Sequence, residues 1–327
     1  MADRGDNYIT YTYRGGERHD IPRDATHIII AKSVSVILAE TFRRRPKIKE
    51  VEFHDKIEKA EEWAFVRCYS LRRVIMPGVE VVERGAFYEC DALTDVECGK
   101  LEIIKEQAFF HCRSLGSINL LSAKIVEMGA FTGCEALTDV KFGSKLDRIE
   151  EEAFCYCTAL ERITIPLKDG IIAADNIFRG CENLKQVDLV DAELYETIAA
   201  LQLEEWRNDV YEEIDSINQI LPTVDAGEYY DYGEKARAIR TWIRSVLHKI
   251  IHYQAEHRRL VKEEVATRLQ LALPRDVVMS TVLPFLELPS YTFEMGGDQE
   301  GDEDEEEEGD DDDGRRDVTI WRRFCCC

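Results

Sequence analysis

Apolar and polar positions follow two rhythms along this chain. Between Phe42 and Leu189 they recur with a period in the low twenties, and from Ala192 onward they fall into helical steps of three and four. In the first region the repeat is anchored by Phe42, Phe65, Phe87, Phe109, Phe131, Phe154 and Phe178, spaced by 23, 22, 22, 22, 23 and 24 residues. Three residues after all but the first comes Cys: Cys68, Cys90, Cys112, Cys134, Cys157 and Cys181. Six after each Phe stands Ile48, Leu71, Leu93, Leu115, Leu137, Leu160 or Leu184, and nine after stands Val51, Val74, Val96, Ile118, Val140, Ile163 or Val187. Five before Phe, most copies carry an apolar residue (Ile37, Val82, Ile104, Val126, Ile149). Apolar positions at plus nine and plus eleven alternate with their neighbours, which is the period of a β-strand. The repeat predicts about seven stacked coils whose strands form parallel sheets, because no single coil of this length buries its apolar face alone.

The flanks differ in kind. Residues 1–33 read as a β cap: Tyr8 to Tyr13 are aromatic and β-branched, Arg14-Gly15-Gly16-Glu17 turns, and His27 to Ile30 is strand-like. A solenoid's first coil lacks a neighbour on one side, so a hairpin covering the open core is expected. A ligand platform is the second reading of the aromatic strand. From Ala192, Leu194, Ile198, Trp206, Val210, Ile214 and Ile217 trace one helical stripe, broken at Pro222 and Gly227. A longer helix is predicted from about Glu234 to Leu273, with Ile239, Ile243, Val246, Ile250, Tyr253, His257, Leu260 and Val261 on its apolar side. These helices are expected to cover the open C-terminal end of the coils; a partner helix or a second copy could take the same stripe.

The phrase Val82-Glu83-Arg84-Gly85-Ala86-Phe87-Tyr88-Glu89-Cys90-Asp91-Ala92-Leu93-Thr94-Asp95-Val96 resembles the BspA-like leucine-rich repeat. The lead-in from Asp20 to Ile28 resembles that of diatom members of the class. The resemblance covers about residues 20–190 and implies an α+β chain built on a right-handed leucine-rich repeat β-solenoid over residues 34–190. A helical domain over 191–290 and a disordered acidic tail over 291–327 complete the expected organisation. The end copies depart from the phrase: Arg45 stands where the first Cys would be, and the last copy has Ile177 for Ala and a lengthened lead-in. The family implies a binding scaffold without shared enzymatic chemistry.

In such a scaffold the residues beside the plus-nine position face outward, on the surface that solenoids offer to partners. The candidates for partner binding are Arg73, Asp95, Glu97, Ser117, Asn119, Asp139, Lys141 and Arg162. Their mixed charge also suits a plain solvated face. The sequence predicts an unidentified protein as the partner.

Other chemistry finds little footing. There is no phosphate-cradling Gly loop, no Gly-x-Ser-x-Gly elbow and no Cys–His catalytic set, so no enzyme, cofactor or metal is expected. His248 and His252 lie four apart on a helix but lack the intervening Glu of a zinc protease helix. The segment from Leu273 to Leu286 resembles the opening helix of an F-box, which would imply a substrate receptor of a ubiquitin ligase, yet Pro284 interrupts it.

Charge and cysteine set the context. The formal net charge is −23, and thirteen acidic residues between Asp298 and Asp313 leave about −10 on the rest. That balance argues against nucleic acid, whose phosphates need a basic stripe. No run of 18 apolar residues is present, so no transmembrane segment is expected. The N-terminus lacks an apolar stretch for export. Eleven Cys in an unexported chain point to the cytoplasm, with the nucleus as second choice, and six of them at one repeat position point to packing. Cys325, Cys326 and Cys327 resemble the doubly geranylgeranylated ends of small traffic GTPases. Lipidation there would allow peripheral membrane contact and a lipid-anchored adaptor.

Overall fold

A computed structural model of the chain describes residues 8–16, 18–201, 203–221 and 233–270. Strands Thr10–Tyr13, His27–Ile30, Glu50–Glu52, Arg73–Ile75 and Asp95–Glu97 pair side by side in chain order, every pair parallel. Strands Asp139–Lys141, Arg162–Ile165 and Gln186–Leu189 form a second parallel block of this strand side. A separate five-stranded parallel sheet uses two-residue strands: Lys59–Ala60, Val81–Val82, Ile103–Ile104, Ile125–Val126 and Arg148–Ile149. The parallel pairing at one-coil intervals makes the repeat region a β-solenoid of about seven turns. Register keeps like over like, so Val51, Val74 and Val96 align on the strand side. Ala60, Val82, Ile104, Val126 and Ile149 do so in the narrow sheet.

The interior is a set of side-chain ladders. The rings from Phe42 to Phe154 stack almost face to face, with centroids 4.9, 5.2, 5.2, 5.3 and 5.3 Å apart, and Phe178 follows at 6.1 Å. Beside them each Cys donates its thiol hydrogen to the carbonyl of the preceding coil's Phe. Cys68 reaches Phe42 at 3.0 Å, Cys90 reaches Phe65 at 3.2 Å, and the series runs to Cys181 on Phe154 at 3.0 Å. The carbonyl sits in a fully buried turn, where an unmet acceptor is costly. Cys is the small apolar residue that carries a weak donor, which explains its recurrence. Burial pushes the Cys68 thiol up to about 12 and Cys90 and Cys112 well above the usual thiol range, so the ladder is inert as a nucleophile.

Around each Phe the chain doubles back. In six coils the residues two before and two after Phe have positive φ. At two of these positions glycine is required by its neighbour: a Cβ on Gly85 would lie 2.2 Å from the Trp63 ring, and one on Gly133 would lie 2.5 Å from His111.

The N-terminal cap is not a hairpin. Thr10–Tyr13 runs parallel to His27–Ile30. The residues between them are enough for a crossover, with Ile21 and Ala25 buried under the stack. Tyr13 then packs edge-on against Phe42 at 5.3 Å, so the cap is a coil whose tyrosine closes the Phe ladder.

The first helical stripe is also two helices, α1 (Asp191–Ala199) and α2 (Glu204–Ile220). Leu201 is buried at the break and its carbonyl accepts from Arg207 at 2.6 Å. The long α3 spans Glu234–Gln270. Together α2 and α3 seal the last coil. The Lys235 ammonium, 8% exposed, donates to the carbonyls of Cys181, Glu182 and Leu184 at 2.7, 3.2 and 2.9 Å. Asn218 accepts from the Val187 N–H on the edge strand at 3.1 Å. Arg237 and Arg240 both pair with Asp175, and Arg244 pairs with Asp169. An open strand edge and bare turn carbonyls would invite association, and these side chains cover them. Between the two helices, Trp242 donates to the Glu213 carbonyl, while Lys249 and Tyr253 both bond Asp209.

Candidate functional site

The strand side is broken in the fourth coil, where the repeat predicts a strand around Ile118 like those of the other coils. Gly116, Ser117, Ile118 and Asn119 belong to neither block. In regular coils the residue eight after Phe donates its N–H to the preceding coil, as Arg73 does to Lys49 and Asp95 to Arg72, both at 3.1 Å. The residue eleven after Phe donates to the following coil, as Met76 does to Glu97 at 2.8 Å. Among the described residues, the backbone N–H groups of Ser117 and Cys98, which hold these positions beside the break, make neither bond. The Cys98 thiol instead reaches the Asn119 carbonyl at 3.4 Å. On the other side, a long Thr138 N–H to Gly116 carbonyl contact at 3.4 Å and a bridge between Leu120 and Phe142 link this coil to the second block. Gly, Ser and Asn are poor strand formers, and here three of four consecutive positions carry them.

The break opens a cleft of roughly 500 Å³. Ile75, Pro77, Val96 and Ile118 give it apolar surface, and Asp95, Glu97, Ser117 and Asn119 give it polar surface. Beside it, one guanidinium serves three carboxylates: Arg73 pairs with Glu50 at 3.4 Å, Asp95 at 3.0 Å and, more closely, Glu97. The hydrogen bond to Glu97 raises the Arg73 pKa further above its ordinary value. Glu50 also meets His27 Nε2 at 3.1 Å, extending the network toward the N-terminus.

The eight sequence candidates thus divide. Arg73, Asp95 and Glu97 join in one ion network, and the latter two line the cleft with Ser117 and Asn119. Asp139, Lys141 and Arg162 lie on the far block, away from the cleft lining, and Arg162 bonds Gln186 at 2.6 Å and Asp188 at 3.5 Å. The candidate set lacked Pro77 and Cys98 in the cleft and His27 in the network, and left out Ile75 and Glu50 although both flank plus-nine positions. Of these, Glu50 also occupies the same register column as Arg73.

Other candidates fall away from this surface. His248 and His252 are exposed on α3, and among the described residues no three His, Cys, Asp or Glu side chains are grouped to hold a metal. No described helix is long and apolar enough to cross a membrane. The F-box-like segment from Leu273 to Leu286 and the terminal Cys325, Cys326 and Cys327 lie outside the described residues.

Parallel coils of 22 to 24 residues on an aligned Phe and Leu interior define a leucine-rich repeat protein. The match to a family model makes this specific. The BspA type leucine rich repeat region fits residues 23–124 and 102–200 in 6 copies, more than half the chain, and the protein belongs to that family. No curated protein matches the chain. Among solved structures it is similar to the leucine-rich repeat protein of T. pallidum, at 19% identity over 57% of this chain and 77% of that one, with a TM-score of 0.38. It is also similar to a leucine-rich cell surface protein of Faecalibacterium prausnitzii, at 19% identity over 52% of this chain and 61% of that one, with a TM-score of 0.35. Both likenesses concern the fold alone. The family and fold are those of repeat proteins, and they indicate no catalytic family.

Proposed function

We propose that this protein is a non-enzymatic scaffold that holds a protein partner on its strand side, at the break around Ser117 and Asn119. The cleft carries this reading. It is an open recess that combines apolar surface from Ile75, Pro77, Val96 and Ile118 with polar surface from Asp95, Glu97, Ser117 and Asn119, and its size suits an anchoring side chain of a partner. The rigid coils on both sides hold its walls without help from the ligand, so binding costs little ordering. Eight described thiols are buried and free of disulfides, which supports a reducing compartment, the cytoplasm or the nucleus.

The test is affinity capture from a native lysate with the full-length chain and with a full-length Ser117→Lys, Asn119→Lys variant. These side chains are polar and exposed, so the melting curve should stay close to wild type. The reading expects proteins captured by the wild type to be lost from the variant. Retention of every one of them would overturn it.

A further inference from the structure

The N-terminal end of the Cys ladder carries a cluster of guanidinium groups with no part in the strand-side cleft. The first coil has Arg45 where the six coils after it have Cys. A terminal nitrogen of Arg45 donates to the Arg18 carbonyl, and one of Arg18 donates to the Arg43 carbonyl, which laces the cap to the first turn. Arg45 also lies within electrostatic reach of Arg18 and Arg23. Arg43 is matched by Glu40, but among the described residues no carboxylate pairs with Arg18, Arg23 or Arg45. The Arg45 Nε is buried and meets no acceptor. Burial, and then the charges of Arg18 and Arg23, hold Arg45 below the usual arginine range.

A group of like charges without a carboxylate partner is unfavourable, and one negatively charged ligand relieves it. We propose that Arg18, Arg23 and Arg45 bind a phosphate monoester carried by a peptide. A phosphate brings close to two negative charges and several acceptor oxygens to several guanidinium forks, where a carboxylate brings one charge. The rest of the molecule selects the carrier. With a net charge of −23 the chain repels an extended polyanion such as nucleic acid or an anionic bilayer, so this small cationic island suits one phosphate on a flexible segment. Arg clusters of this kind recognise phosphorylated motifs.

The site is separate from the cleft and is tested independently of it. Calorimetry on the full-length protein at constant ionic strength would compare a phosphoserine peptide with neutral flanks, its unphosphorylated form, inorganic phosphate, and phosphatidylcholine vesicles containing a phosphoinositide. Binding of the phosphopeptide and of phosphate, but not of the unphosphorylated peptide, is expected. Arg45→Cys restores the residue of the other coils and Arg23→Gln alters an exposed position. Each should weaken phosphopeptide binding at least about tenfold, the scale of one charge-assisted hydrogen bond. Phosphate binding no stronger than that of chloride would overturn the proposal. So would unchanged affinity in both variants, or binding to the vesicles alone.

Discussion

The turn side and the strand side of the solenoid pass through the same fourth coil with opposite outcomes. On the turn side, Phe109 sits 5.2 Å from Phe87 and 5.3 Å from Phe131, and Cys112 and Cys134 reach the carbonyls of Phe87 and Phe109 at 3.2 and 3.3 Å. On the strand side the ladder stops at Glu97 and resumes at Asp139. The difference shows which interactions hold the stack. Ring stacking runs through all seven Phe positions and a buried thiol-to-carbonyl bond accompanies six of them, whereas the outward half of each strand is solvated and can open without exposing the core. A binding recess can therefore be cut into one side while the other carries the fold.

Perturbing the two sides separately breaks or sharpens this contrast. The largest effect is expected at alkaline pH. The thiolate of Cys68 is disfavoured by burial in the folded protein, so the unfolded chain gives up its proton first, near the ordinary value of 9.0. Stability is full below about pH 9 and falls by about 1.4 kcal/mol per pH unit for this thiol as pH rises toward 12. Cys90 and Cys112 act in the same direction, so urea midpoints measured from pH 8 to 11 should drop steeply. A flat profile would deny the ladder its role. Phe109→Ala should cost about 3–5 kcal/mol by chemical denaturation, as for a large buried aromatic. Lys235→Met, which strips three carbonyls at the last coil of their donor, should cost about 1.5–3 kcal/mol. It should also speed amide exchange around Leu184 while leaving the first coils protected. Cys112→Ala fits the same buried position and leaves the Phe87 carbonyl without its thiol donor, for a loss of about 1–3 kcal/mol. The smallest change is expected from Ser117→Val with Asn119→Val on the strand side. It should alter stability by less than about 1 kcal/mol, because these positions are exposed. The same pair should nevertheless close the cleft and weaken partner capture.

Much of this was legible in the sequence, and the misses have physical causes. The positions of Phe, Leu and Val specify the inward faces directly, since only one register buries them all. Alternation along Tyr8 to Tyr13 is the same for parallel and antiparallel partners, so the sequence does not distinguish the parallel cap from a hairpin. The narrow sheet offers only two residues per strand, too few for a period to emerge. Its inward residues were visible as the apolar position five before Phe. The break was hidden because Ile118 keeps the plus-nine position even though Gly116, Ser117 and Asn119 around it disfavour a strand. The Cys partner could not be read at all, since it is the main-chain carbonyl of another coil. Nor could the Lys235 seal, which depends on how α3 docks.

The most direct test of the central contrast is residue-resolved hydrogen exchange on the full-length protein, alone and with a captured partner. In the free protein the amides of Cys98 and Ser117 should exchange far faster than those of Met76 and Arg73, their counterparts in a regular coil, while the Cys112 and Cys134 amides stay protected. Partner binding should then slow Cys98 and Ser117 selectively. Uniform protection along the strand side, or slowing confined to other coils, would contradict the account.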